Sequence, residues 1–127
     1  MRGDFGPLAP WQREAYERGL RLGLRAEWPI VATAYWRGEG RSGQIDCRGR
    51  PLGPHAAASN IIPQGWIVWL PQVGLRRICD RGAHRNDLVA ARRSGIWVDV
   101  WFESAAAARA TGIDGWVKTP AAVIPPQ

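Results

Sequence analysis

The stretch that decides the fold is Gly74-Leu-Arg-Arg-Ile-Cys-Asp80-Arg-Gly82, a polar excursion, and then Gly95-Ile-Trp-Val-Asp99-Val-Trp-Phe102. Two short apolar strands each deliver one aspartate, Asp80 at the end of the first and Asp99 in the middle of the second. Arg81-Gly82 then predicts a turn, glycine being read there for the positive φ of a tight bend. In the second strand strict alternation puts Ile96, Val98, Val100 and Phe102 on one face and Trp97, Asp99 and Trp101 on the other. A carboxylate flanked by two indoles is out of place in a plain core strand and is the pattern of a sugar-binding cleft.

Working outward, Trp66-Ile-Val-Trp-Leu70 reads as a strand buried on both sides, turned by Pro71–Gly74 into the strand ending at Asp80. Ile30–Trp36 is rich in β-branched and aromatic residues and predicts another strand, with Thr33 and Tyr35 on a common face. Between them, Arg37–His55 reads as a long loop with one short strand, and Ala56–Gly65 as a small-residue segment closing in a turn. After Phe102, Ser104 predicts the N-cap of a helix over Ala105–Thr111 that stops at Gly112. Trp116–Lys118 is a closing strand. The excursion Ala83–Ser94, with His84, Asp87, Arg92 and Arg93, reads as a loop; His84 and His55 read as solvated, and Asp87 and Glu103 as surface charges, Glu103 being kept as a reserve catalytic candidate. Trp11–Arg25 reads as a helix supported by the i,i+4 pairs Glu14–Arg18 and Glu17–Arg21 and weakened by Gly19 and Gly23. The expected organisation is an N-terminal extension over 1–29, a β-barrel domain over 30–118 and a tail over 119–127, mainly β with helical decoration.

The chain has 127 residues, enough for one domain with a core of its own. Its charge of +6 is almost wholly arginine, Lys118 being the single lysine among 17 basic residues. That balance suits an anionic polymer, cell wall or nucleic acid, but no helix-turn-helix, RNP or zinc-finger pattern supports nucleic acid as a specific partner. No run of eighteen apolar residues predicts a membrane span, and Met1–Pro7 lacks the apolar core of a signal peptide. Cys47 and Cys79 fit no zinc spacing, so no metal is expected. Whether they pair with each other is open at this level.

Ala32-Thr33-Ala34-Tyr35, then Ile62-Pro63-x-Gly65, Asp80-x-Gly82 and Val98-Asp99-Val100-Trp101-Phe102, in that order, resemble the three-aspartate (3D) domain of lytic transglycosylase A-like proteins. The resemblance covers residues 30–118, and its ending is similar to Ser104–Gly112 followed by Trp116-Val117. It implies a six-stranded double-psi β-barrel, here with an N-terminal helix and a short C-terminal one. It further implies cleavage of the β-1,4 bond between N-acetylmuramic acid and N-acetylglucosamine in peptidoglycan, without a cofactor, by a monomer acting on the wall outside the cytoplasm or delivered by a phage. Asp99 then stands as the acid/base with Asp80 beside it. Burial among indoles and a neighbouring Asp80 charge are expected to raise the Asp99 pKa. Thr33, Tyr35, Ser59, Asn60, Arg81, Trp97 and Trp101 are the candidate substrate contacts. Two departures stand out: Ser59-Asn60 replaces the first of the three acids, which would fall at Ala58–Asn60, and Arg85–Ser94 lengthens the Asp80–Asp99 connection. The alternatives are an endoglucanase-like hydrolase on the same barrel and a non-catalytic polysaccharide-binding barrel.

Overall fold

The computed structural model describes residues 29–37 and 45–124. The helix expected over Trp11–Arg25 lies outside them. The chain is mainly β: Ile30–Trp36 (β1), Ala56–Ala58 (β2), Ile67–Leu70 (β3), Gly74–Asp80 (β4), Ile96–Phe102 (β5), Val117–Thr119 (β6) and Ala122–Ile124 (β7). Two helices interrupt them, His84–Arg92 (α1) and Ala105–Thr111 (α2).

The strands form one sheet in the order β6-β1-β5-β2-β4-β3-β7. This corrects the expected six-stranded closed barrel: there are seven strands among the described residues, and the sheet curls into a half-barrel with β6 and β7 at its edges. The seventh strand falls in the segment read as a tail. Ala122–Ile124 pairs antiparallel with Ile67–Trp69 and is buried, so apolar burial overrides the flanking prolines.

β5 runs parallel to β1 over its full length, Ile30 to Trp36 against Ile96 to Phe102. One face of this pair forms the main core, where Ile30, Ala32, Val98, Val100 and Phe102 meet Ala57, Ile78, Val68, Leu70 and Val123, capped by Ala108 of α2 and by Ile113. The opposite face is covered too. Val31 and Trp97 pack under Ala90 of α1 and against Trp116, while Tyr35 and Trp101 pack against Ala56 and Leu52.

Where a loop was expected over 83–94, the structure has α1. Its signals are weak: Ala83 at the N-cap offers no side-chain acceptor, and Ala90 alone is buried, leaving almost no apolar stripe. The helix forms because it lies over Trp97. The other helix follows its sequence signals closely. Ser104 Oγ accepts the Ala107 N–H at 3.1 Å, and Gly112 closes α2 at φ 94°, in the left-handed region.

The segment 45–55 is tied down through Asp46, whose side chain is fully buried. Its Oδ1 accepts the backbone N–H groups of Arg48 and Arg50 at 2.8 and 3.0 Å, and its Oδ2 lies 3.0 Å from His55 Nε2. A disulfide joins Cys47 to Cys79, with Cα atoms 4.9 Å apart, and the Cys47 N–H donates to the Cys79 carbonyl at 2.9 Å. This loop therefore reaches β4 one residue before Asp80.

Candidate functional site

The two aspartates reach the same face of the sheet by different means. Asp99 does so by the alternation of β5, pairing with Thr33 on one side and Ala58 on the other. Asp80 does so through a bulge. Ala56 pairs with Arg77 and Ala57 with Ile78, but Ala58 pairs with Asp80, one residue late. Regular pairing would bring Cys79 opposite Ala58 and turn Asp80 to the other face; the extra residue re-aims it. Thr33, Asp99, Ala58 and Asp80 thus make one row across β1, β5, β2 and β4. The carboxylates stand two strands apart, about 10 Å along the row at ordinary strand spacing.

Each is held by a side chain of β1. Trp97 Nε1 donates to Thr33 Oγ1 at 2.7 Å, and Thr33 Oγ1 donates to Asp99 Oδ1 at 2.8 Å. An indole N–H can only donate, so it fixes the hydroxyl's direction: the Thr33 proton points at Asp99. The Tyr35 hydroxyl donates to Asp80 Oδ2 at 3.1 Å, and Asp80 Oδ1 accepts the Arg81 N–H at 2.8 Å. Tyr35 spans β5 and β2 to reach it, a path open because β2 presents only the methyl groups of Ala56 and Ala58 on this face. Burial, the Asp80 charge and hydrogen bond, and the Asp99 charge together push the Tyr35 phenol far above its usual pKa. It stays a donor at any physiological pH.

Asp99 lines a cleft of about 340 Å³ at the edge of β1 beyond β6. Thr33, Trp97 and Asp99 line it from the sheet, Ala105, Ala108 and Arg109 from α2, and Asp114, Gly115 and Trp116 from the loop after α2, with Asn86 of α1 and Trp36 completing the walls. Asp80 and Arg81 line a separate, shallower depression of about 250 Å³ beside Asp46 and the disulfide. The two acids of the row thus open into different hollows, which share no lining residue.

The remaining sequence candidates fall into place around this row. Ser59 is fully buried; its Oγ donates to the Trp97 carbonyl and accepts the N–H groups of Ile61 and Ile62, so all its capacity goes to the exit of β2. Asn60 exchanges two hydrogen bonds with the backbone of Gly82, at 3.0 and 3.1 Å, and donates to Asp87 Oδ2 at 3.0 Å. Trp97 and Trp101 are 2 % and 1 % exposed, so neither offers a ring face to a ligand. α1 and the 45–55 segment cover them, which strand alternation alone cannot reveal. The indoles that reach the cleft while only half-buried are Trp36, at the end of β1, and Trp116, read as part of a closing strand. Trp116 also carries the Arg93 guanidinium 5.8 Å from its ring centroid.

Two smaller readings change, at Gly82 and Asp87, while Glu103 is the surface charge expected. Gly82 does not adopt a positive φ; it is glycine because the Trp97 ring occupies the space a Cβ would need. Asp87, read as a surface charge, keeps only 15 % of its side chain exposed and clamps α1 to Asn60, with the exposed His84 3.4 Å away. Glu103 sits in an exposed two-bond pair with Arg37, at 2.9 and 3.1 Å, outside the cleft. Among the described residues no group of three or more His, Cys, Asp or Glu side chains is placed to hold a metal ion, and no helix is long and apolar enough to cross a membrane.

No protein-family model matches this chain, and no curated protein matches it.

Proposed function

We propose that this protein is a peptidoglycan lytic transglycosylase that cleaves the bond between N-acetylmuramic acid and N-acetylglucosamine with Asp99 as its single acid/base. The observation that carries the reading is the ordered chain from Trp97 Nε1 through Thr33 Oγ1 to Asp99 Oδ1 at the floor of an open cleft. The Thr33 hydroxyl orients the Asp99 carboxyl, which carries the proton. That proton goes to the leaving glycosidic oxygen as the bond to C1 breaks. The carboxylate so formed takes the proton of the muramyl 6-hydroxyl as that oxygen bonds to C1, giving a 1,6-anhydro end without water. Asp80, held on the same face by Tyr35, adds negative charge that favours the positive charge developing at C1.

The half-barrel with its two parallel pairings supports the resemblance to the three-aspartate double-psi barrel. The Cys47–Cys79 disulfide supports an oxidising setting, the periplasm or beyond. The net charge of +6 supports an anionic wall polymer as partner, with the protein acting as a monomer. The methyl group of Ala58 between the two acids favours a second reading, a barrel that binds glycan without cutting it.

Digestion of purified peptidoglycan and of β-glucan, with products weighed by mass spectrometry, separates the readings. Anhydro-muropeptides are expected. Reducing-end muropeptides or glucan oligomers mean hydrolysis, and retention on the polymer without products means a binder. Asp99→Asn is expected to keep fold and binding and to release nothing; full activity in that variant refutes the assignment.

A further inference from the structure

We infer that Arg109 makes the Asp99 cleft a carboxylate-reading subsite, so that the glycan it takes carries an acid group appended to a sugar at the cleavage site. This deepens the proposed cleavage reading and rests on it. Among the described residues that line the cleft Arg109 alone is cationic, and it projects from α2 next to the buried Ala108 that fixes that wall. Its guanidinium has no ion-pair or hydrogen-bond partner among the described residues, although the exposed Asp114 lines the same cleft. The contrast with Arg37 is direct: that side chain spends its guanidinium on Glu103 and on the Trp101 ring. An arginine left unspent beside two half-buried indoles and a carboxylate is arranged to meet a sugar ring and an anion together. A guanidinium fork matches a carboxylate with two parallel hydrogen bonds, and Trp36 and Trp116 supply apolar surface for the C–H face of the ring. A neutral glucan or chitin leaves that fork empty. The acid group has two sources in wall glycan, the free lactyl group of a peptide-stripped strand or the first acidic residue of an attached stem peptide.

The test titrates the full chain and its Arg109→Gln and Arg109→Lys variants with three oligosaccharides of equal length: peptide-stripped wall glycan, stem-peptide-bearing glycan and chitin oligomer. Asp99→Asn is combined with each so that binding is read without turnover. Arg109→Gln is expected to weaken binding of a carboxylated glycan roughly 10- to 100-fold and to leave the chitin oligomer unchanged, with Arg109→Lys in between. Which carboxylated glycan responds identifies the source of the acid. Equal losses on all three, no loss on any, or no binding of any of them by the parent protein overturns the inference. Arg109-dependent binding in a protein that releases no product from peptidoglycan preserves the subsite and removes the cleavage reading.

Discussion

Asp80 stands opposite Ala58, one residue further along β4 than the preceding pairs would place it, and this offset sets it on the face that carries Asp99. Tyr35 reads the consequence directly, since its hydroxyl is bound by one carboxylate and its pKa is raised by both. The sign of its pH effect follows. Burial first, then the neighbouring negative charge, favours the neutral phenol in the folded state, so the stability involved is complete below the unfolded tyrosine pKa of about 10 and drains away as pH rises above it. Tyr35→Phe is expected to flatten the loss of the urea midpoint between pH 9 and 11.5. The same variant, subtracted from the parent in a tyrosinate absorbance titration, is expected to show no ionisation near pH 10. A normal tyrosine titration in that difference contradicts the geometry.

The Trp97–Thr33–Asp99 chain predicts a specific asymmetry between two conservative changes. Thr33→Val keeps the shape but leaves the Trp97 N–H and Asp99 Oδ1 without the hydroxyl, for a cost of about 1–3 kcal/mol in denaturant unfolding. Thr33→Ser restores the hydroxyl and is expected to recover most of that loss. On the proposed function, peptidoglycan turnover falls with Thr33→Val by at least tenfold and returns with Thr33→Ser.

Gly82→Ala is expected to destabilise by about 1–3 kcal/mol, because a methyl group there meets the Trp97 ring. The backbone at Gly82 is not in the left-handed region, so the cost is one of space alone. Trimming the ring should relieve it. In Gly82→Ala combined with Trp97→Leu, the two losses are expected to sum to less than their separate values, with a coupling of about 0.5–3 kcal/mol by chemical denaturation.

These elements also mark how far the sequence could be read. β1, β5 and α2 were legible because their signals are local: a β-branched run, a period-two alternation, a serine cap and a closing glycine. The alternation correctly set Trp97, Asp99 and Trp101 on one face. It could not tell that two of the three would be buried, because the covering comes from Leu52 and from α1, which lacks an apolar stripe and a side-chain cap. The bulge after Ala57 has no signature in the residues around it, so the common face of the two acids was legible only as a resemblance. Trp36 and Trp116 look like ordinary strand indoles; their place in the cleft depends on β6 ending short of Thr33, a matter of register.

Asp46 predicts an acid limit on stability. The Arg50 N–H above all, then His55 and the Arg48 N–H, hold its carboxyl down to about 2 against the cost of burial. An unfolded aspartate titrates near 3.9, so its contribution is whole above about pH 4 and is lost as pH falls towards 2. The urea midpoint of the parent protein is expected to fall across this window. Asp46→Asn is expected to start lower at pH 6 and to fall less. Parallel curves for the two proteins would remove Asp46 from its anchoring role.

The disulfide closes the same segment covalently, and its effect is expected to be separable from that of Asp46. Cys47 and Cys79 lie 32 residues apart, and closing a loop of that length restricts the unfolded chain by about 3–4 kcal/mol in the chain-entropy account. Reduction, or the double change Cys47→Ala with Cys79→Ala, is expected to lower stability by that order, read as a lower guanidinium midpoint with a steeper slope, because the chain without its cross-link unfolds to a more exposed state. Because Cys79 immediately precedes Asp80, the reduced protein also tests whether the bulge needs the bond. The bulge is held independently by the Ser59 N–H on the Asp80 carbonyl, at 3.2 Å, and by Gln64 Nε2 on the same oxygen, at 3.0 Å. Reduction is therefore expected to leave the Tyr35–Asp80 contact standing, with the tyrosine titration still displaced upward in the folded, reduced protein. A return of Tyr35 to ordinary titration on reduction would mean that the disulfide, and not the backbone around Ala58, places Asp80.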